Sequence, residues 1–136
     1  NTLIYRNGFN NNCTKYSLRF KHIIFLHIKN TIMSGYIYIF HIREFFTQNI
    51  PVYKIGRAID IFQRKNGYPK GSKLLLCLEV NDMKFVETLL IQNLKKKCIH
   101  RTDLGSEYFE GNIKTIKNES IDLCMHEVIH KFLNHN

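Results

Sequence analysis

The segment at positions 36–40, Tyr-Ile-Tyr-Ile-Phe, constrains the fold of this chain most strongly, because it consists entirely of aromatic and β-branched residues. Such residues favour β-strands. The same composition predicts strands at 52–55 and 74–80 and a short extended piece at 107–109. The polar stretch near 47–49 suits the connection of a hairpin. Since helical patterns lie between these pieces, we expect a mixed α/β fold of the α+β type.

Helix signals separate the predicted strands. Asp60 can cap a short helix that the loop at 66–72 ends. Asn81 or Asp82 can cap a longer helix that runs to about Lys97. A final amphipathic helix follows, and its predicted apolar side consists of Ile113, Ile116, Ile121, Cys124, Val128, Phe132 and Leu133.

The length and the charge limit the kind of protein this is. The chain has 136 residues, which is enough for one compact domain. Its 20 Lys plus Arg against 11 Asp plus Glu give a net charge of +9. A basic excess favours polyanionic partners, which bind with release of counterions. Nucleic acid is therefore the partner class that the charge indicates.

The charge is uneven along the chain. Residues 1–32 hold five basic side chains, no acid and no clear helical or strand period. We interpret them as a basic N-terminal extension outside the domain, with an ordinary basic arm of the same domain as the alternative. The domain itself is predicted at 33–111, and residues 112–136 are predicted to form a C-terminal amphipathic helix packed on it.

The sequence favours an intracellular, soluble protein without a membrane partner. The apolar run at 23–26 is far too short to cross a bilayer. No CxxC pair is present, and the apolar content makes disulfide staples unnecessary, so we expect reduced thiols. The cysteines are Cys13, Cys77, Cys98 and Cys124.

One acid breaks the apolar pattern of the longer helix. At about 100° per residue, Glu87 falls inside the apolar arc that includes Val86 and Leu90. A carboxylate there is costly to desolvate unless a cation or a metal compensates its charge. Three interpretations of Glu87 remain open. It is a structural partner of a buried arginine, a side chain that reaches solvent at the edge of the apolar arc, or a functional group.

Several motifs stand in a fixed order between Gly35 and Gly111. They are Tyr36-Ile37-Tyr38, Lys54-Ile55-Gly56, Arg64 eight residues after that glycine, Glu87 on the long helix, and Glu107-Tyr108-Phe109. In this order and spacing the chain resembles the GIY-YIG nuclease superfamily. Within it, the chain is most similar to the phage T-five open reading frame 172 DNA-binding domain, a subgroup found in phages and large DNA viruses.

The resemblance implies a small three-stranded antiparallel sheet flanked by helices, with one active face. It also implies an endonuclease that hydrolyses the phosphodiester bonds of double-stranded DNA with one divalent metal, Mg²⁺ or Mn²⁺. The implied catalytic residues are Tyr38, Arg64 and Glu87, and Glu87 would hold the metal. Tyr38 would deprotonate or orient the attacking water, and Arg64 would bind phosphate oxygens. Since a free tyrosine has a pKa of about 10, Tyr38 can act as a general base near neutral pH only if positive charge lies close to it.

Four further residues are predicted to contact DNA. Lys54 can hold a phosphate, Arg57 follows the glycine at the end of the second motif, and Tyr68 and Lys70 lie in the loop after Arg64. Lys54 stands where the superfamily name has tyrosine, and Tyr68 stands where many members have histidine. These two differences leave a second interpretation open, a non-catalytic DNA-binding module of the same fold.

A third class of function is suggested by residues 126–130, His-Glu-Val-Ile-His, which match the HExxH pattern of zinc peptidases. Histidines at i and i+4 share a helix face and can bind one zinc ion. Only six residues follow, however, and a metzincin-like continuation would require Gly at position 133 and His at position 136, where Leu133 and Asn136 stand. A zinc hydrolase is therefore the less favoured alternative, and we expect His126 and His130 to face solvent.

Overall fold

Strands and helices alternate along the chain in the computed structural model, which describes residues 3–5 and 33–134. The strands are β1 (Leu3–Tyr5), β2 (Gly35–His41), β3 (Val52–Ala58), β4 (Lys73–Val80), β5 (Ile99–His100) and β6 (Tyr108–Glu110). The helices are α1 (Arg43–Thr47), α2 (Ile61–Asn66), α3 (Met83–Lys97) and α4 (Ile113–Leu133). The predicted mixed α+β class is confirmed.

All of these strands belong to one open sheet of order β1-β4-β2-β3-β6-β5. Five of them, β2 to β6, pair in the antiparallel sense, and β1 adds to β4 in parallel. The predicted number of three strands is therefore wrong. Strands β1 and β5, of three and two residues, are too short for a periodic pattern, and β6 corresponds to the short extended piece predicted at 107–109.

Strand β1 lies within the predicted N-terminal extension. Leu3 pairs with Leu76 of β4 and Tyr5 pairs with Leu78, so this part of the extension adds a strand to the sheet. The rest of the extension, including Cys13, lies outside the described residues. The boundaries assigned at residues 33 and 112 stay a prediction.

The predicted helix caps are present. The Asp60 carboxylate accepts a hydrogen bond from the backbone N–H of Gln63 at 3.0 Å, and α2 begins at the next residue. Of the two candidates for the start of α3, Asp82 is the cap, because its carboxylate accepts from the N–H of Phe85 at 3.1 Å. Both contacts satisfy backbone donors that have no partner inside the helix.

The sheet has two apolar faces because successive side chains of a strand point in opposite directions. On β2, Ile37 and Ile39 pack with the buried sides of α3 and α4. Tyr38 and Phe40 point to the other face, where they pack with Ile61 of α2. The sheet is thus covered by the two long helices on one face and partly by α1 and α2 on the other.

Helix α4 packs mainly through a narrow line of residues. Ile116, Ser120 and Cys124 are buried, and helices α3 and α4 contact each other. Leu133 was predicted on the apolar side, but it is 64% exposed and is the last residue of α4, where the helix ends. The side chain of Phe132 lies outside the described residues.

Cys77, Cys98 and Cys124 are not joined in disulfide bonds among the described residues. Among the described residues, no helix combines the length and the apolar character that crossing a bilayer requires.

Candidate functional site

Glu87 is buried on α3, as its position in the apolar arc predicted. It is 6% exposed, and its Oε1 accepts a hydrogen bond from Nη1 of Arg57 on β3 at 2.8 Å. The other oxygen, Oε2, is buried and has no hydrogen-bond partner among the described residues. The expected compensating cation is therefore present, but it satisfies only one side of the carboxylate.

The electrostatic balance at Glu87 opposes its negative charge. Burial raises the pKa of this carboxyl above its usual value, and the Arg57 guanidinium lowers it by less. Glu107 raises the pKa further, whereas Lys54 lowers it. The site thus holds an acid whose ionised form would be stabilised by one more cation.

The phenol of Tyr38 lies on the other face of the sheet and is 2% exposed. Its strand position is directly opposite Gly56 of β3. A Cβ atom at position 56 would lie 2.3 Å from both the Cζ atom and the hydroxyl oxygen of Tyr38. Because any larger residue would collide with the ring, the glycine of the second motif is what allows Tyr38 to lie flat across β3.

The Tyr38 hydroxyl makes a hydrogen bond of 2.9 Å with the hydroxyl of Tyr68. Burial raises the pKa of Tyr38, and this effect exceeds the lowering caused by Tyr68, Arg64 and Lys54. The pKa of Tyr68 is also raised, by burial first and by its bond to Tyr38 second. The positive charge expected near Tyr38 is therefore present, but burial outweighs it.

Lys54 is held by two neighbours from the region of β6. Its Nζ donates to Oε2 of Glu107 at 2.6 Å and lies 4.9 Å from the centre of the Tyr108 ring. Only 17% of the lysine side chain is exposed. A phosphate would therefore have to compete with Glu107 for Lys54, and Arg57 is engaged with Glu87 in a comparable way.

Arg64 and Lys70 are exposed, and neither side chain forms an ion pair within the part of the chain that the structure describes. Arg64 lies on α2, whose Ile61 packs in the same cluster as Tyr38. Its charge lowers the pKa of both Tyr38 and Tyr68. Arg64 is thus close enough to act on the phenols and remains available to an incoming anion.

The predicted catalytic residues Tyr38 and Glu87 do not share one face of the sheet. Gly56 lies opposite Tyr38, and the next residue, Arg57, points to the face of Glu87. Pairing of β3 with β6 ends near Ile55, whose N–H donates to the carbonyl of Glu107. Residues 56–58 therefore form an outer edge with no further paired strand among the described residues, and this edge connects the two faces.

The ion pair of Lys54 and Glu107 couples the two halves of the site. Its charges act on the pKa of Tyr38 on one face and on the pKa of Glu87 on the other. Sequence reasoning treated Glu107 as part of a structural strand and did not foresee this pair. Opposite charges on two predicted strands were the available signal, but it becomes specific only when the pairing of β3 with β6 is known.

The HExxH motif has a structural role. Glu127 accepts hydrogen bonds from the backbone N–H groups of Asn81 and Asp82, at 2.8 and 3.2 Å, and from the Asn81 side-chain amide at 3.2 Å. Both of its oxygens are thus engaged at the N-terminus of α3. His126 and His130 are exposed, as predicted. Since Glu127 is engaged and is not free to act as a base, we abandon the zinc hydrolase interpretation.

One position near the outer edge of β3 suits a divalent cation. Oε2 of Glu87 is a buried acceptor without a donor among the described residues, and a cation would satisfy it. The described part of the chain contains no group of three or more potential metal ligands. A single carboxylate, here that of Glu87, is nevertheless one of the ways in which proteins bind Mg²⁺, with water and substrate phosphate as the other ligands.

The comparisons with known proteins agree with this description at the level of the family. No curated protein and no solved structure matches the chain. The family model of the T5orf172 domain matches residues 35–128, from the first residue of β2 to a point within α4. The matched range contains Tyr38, Gly56, Arg64, Glu87 and Glu127. Because the model covers more than half of its length, this chain belongs to the T5orf172 domain family, whose domains are DNA-binding and associated with nucleases.

Proposed function

We propose that this protein is a metal-dependent endonuclease that hydrolyses phosphodiester bonds in double-stranded DNA. The observation that carries the proposal is the buried Glu87 carboxylate, which has one unpartnered oxygen within the described residues. Such a group costs free energy and is typical of a site that a ligand completes. Membership of a DNA-binding, nuclease-associated family supports nucleic acid as the substrate.

Glu87 would hold Mg²⁺ or Mn²⁺ through Oε2. When bound, the metal would stabilise negative charge on the leaving oxygen of the phosphodiester. Arg57 keeps its hydrogen bond to Oε1 and so fixes the orientation of the carboxylate. Because the pKa of Glu87 is raised by burial, a further positive charge would favour its ionised form.

Arg64 would bind the phosphate. Its guanidinium is exposed, has no ion-pair partner in the described part of the chain, and can donate two parallel hydrogen bonds to phosphate oxygens. Lys70, in the loop after α2, would contact a neighbouring phosphate. Both residues would neutralise the negative charge that increases in the transition state.

Tyr38 would position the attacking water. Because burial raises its pKa, the hydroxyl is neutral in the free protein and can orient a water molecule by hydrogen bonding. Tyr68 fixes the direction of this hydroxyl through their mutual hydrogen bond. Deprotonation of Tyr38 would need more positive charge than Arg64 and Lys54 supply in the free protein.

A second function, a non-catalytic DNA-binding module, is favoured by a separate observation. Lys54 and Arg57 are both engaged in ion pairs, and both phenols of the site have raised pKa values. In such a module, Arg64 and Lys70 would still bind the DNA backbone. Glu87 would then be only the buried partner of Arg57.

Cleavage of supercoiled plasmid by the full chain with Mg²⁺ separates the two functions. We expect nicked or linear DNA from the wild type and loss of cleavage in Glu87→Ala and Tyr38→Phe. Tyr36→Phe is the matched control, since Tyr36 lies on the same strand and on the same face as Tyr38. It should cleave like the wild type.

Two outcomes would contradict the endonuclease. Salt-sensitive DNA binding without cleavage would favour the binding module. Cleavage that persists in Glu87→Ala would show that the activity comes from another site or from a contaminating enzyme.

A further inference from the structure

Two large apolar side chains are exposed to solvent at the beginning of α2. Ile59 is 64% exposed and Phe62 is 68% exposed, whereas Ile61 between them is buried in the cluster of Tyr38. Single exposed apolar residues are common on protein surfaces. Two such side chains within four positions, next to a candidate catalytic arginine, are more typical of a contact surface.

The surroundings of this pair are basic. Residues 57–73 contain five basic side chains and one acid, Asp60. The Asp60 carboxylate is engaged in capping α2. Arg64 and Lys65 are exposed and form no ion pair among the described residues. These charges favour a partner that carries negative charge as well as apolar surface, and DNA combines apolar base faces with phosphates.

The helix directs Phe62 and Arg64 to different sides of α2. At about 100° per residue, Phe62 and Lys65 lie on one flank of Ile61, and Arg64 lies on the other flank. Arg64 is the side chain that acts on Tyr38 and Tyr68. A phosphate bound by Arg64 would thus lie to one side of Ile59 and Phe62 and would leave both side chains uncovered.

We propose that Ile59 and Phe62 form an apolar wedge that inserts between base pairs of the DNA next to the phosphate bound by Arg64. This inference rests on the proposed function, since it requires DNA as the partner. Apolar side chains that enter a base step unstack it and bend the duplex, most easily at pyrimidine–purine steps. The bend would bring the backbone towards the outer edge of β3 at residues 56–58, where Gly56 lies opposite Tyr38 and Arg57 binds Glu87 on the other face.

The wedge can be tested by binding of the full chain, without divalent metal, to a short duplex that carries 2-aminopurine beside a TA step. Insertion should unstack the probe and raise its fluorescence in the wild type. Phe62→Ala should abolish this increase and weaken binding by about 5- to 140-fold, the range for losing one stacked base. Phe62→Leu, which keeps an apolar side chain, should retain part of both effects.

Phe85→Ala is the matched control. Phe85 is 58% exposed on α3, and its helical position is about 160° from that of Glu87. It should bind and unstack DNA like the wild type. Since Phe62 lies outside the buried clusters, its replacement should leave thermal unfolding unchanged, so that a loss of binding is not a loss of folding.

The failures of the two proposals are distinguishable. If the wild type binds no duplex, the proposed function and the wedge both fail. If the wild type binds without an increase in fluorescence, or if Phe62→Ala behaves like the wild type, the wedge alone is overturned and DNA binding stands.

Discussion

Glu87 and Glu127 both lie on long helices, but they differ in how completely their carboxylate oxygens are hydrogen-bonded. Glu127 accepts hydrogen bonds from two backbone N–H groups and one amide, so both of its oxygens are engaged. Glu87 is more deeply buried, yet one of its oxygens has no donor among the described residues. Glu127, the acid of the HExxH motif, therefore has a structural role. Glu87 lies in no such local motif, and its unpartnered oxygen is the one that a ligand would bind.

The difference has an energetic meaning. A buried acceptor without a partner costs about 1–3 kcal/mol, and such groups persist mainly where binding or catalysis requires them. A carboxylate that caps a helix stabilises the fold and needs no ligand. The two residues should therefore respond in opposite ways to the same substitution.

The largest expected difference concerns metal binding. Glu87→Gln should weaken binding of Mn²⁺ by at least about 100-fold, because loss of a direct ligand exceeds the 10- to 100-fold effect of an outer-sphere change. Glu127→Gln should change it by less than about threefold. Titration with Mn²⁺, followed by electron paramagnetic resonance of the free ion, measures both values. Equal affinity in the wild type and Glu87→Gln would remove the proposed metal site.

The next effect is on stability and involves Glu127. Glu127→Ala should lower the free energy of unfolding by about 2–3 kcal/mol, since hydrogen bonds to a charged acceptor at the start of α3 are lost. Urea unfolding followed by circular dichroism measures the change. His126→Ala, an exposed neighbour, should stay within about 0.5 kcal/mol of the wild type. A similar value for both variants would show that the cap contributes little.

A smaller effect is expected from Arg57. Arg57→Met should lower the free energy of unfolding by about 1–2 kcal/mol, because it leaves the buried Glu87 without a cation. We place the loss below that of a fully buried pair because 38% of the arginine side chain is exposed. The double variant Arg57→Met/Glu87→Gln should recover most of the loss. Strictly additive effects would contradict the coupling.

The smallest expected effect is the change that Glu87→Gln makes in the pH dependence of stability. Since the pKa of Glu87 is raised in the folded protein, its stabilising contribution is present below its ordinary value of 4.5 and is lost as the pH rises through the raised pKa. Glu87→Gln does not titrate, so it should gain stability relative to the wild type as the pH rises above the ordinary value of 4.5. Thermal unfolding across this range measures the difference. A relative loss with rising pH would mean that the ionised carboxylate is favoured by the fold.

Local patterns predicted the parts of the fold that depend on local chemistry. The cap at Asp60 and the three longest strands follow from residue type and order. The burial of Glu87 follows from helical periodicity. The family resemblance was also correct for the T5orf172 domain, although the match extends beyond Gly111 into α4.

Features that depend on contacts between distant segments were not predictable from the sequence. The bond between Tyr38 and Tyr68 joins residues 30 positions apart, and the cap from Glu127 to Asn81 joins residues 46 positions apart. Neither contact has a local signature. The strands β1 and β5 were missed for a related reason, since they exist only because a longer neighbour offers its hydrogen-bonding groups.

The parallel pairing of β1 with β4 has a consequence for any shortened form of this protein. A chain that begins at Met33 would lack Leu3–Tyr5 and would leave the backbone groups of β4 along 76–78 uncovered. A bare edge of this kind is a template on which a second molecule can add its own strand. Truncation at Met33 should therefore promote self-association, even though every catalytic candidate would still be present.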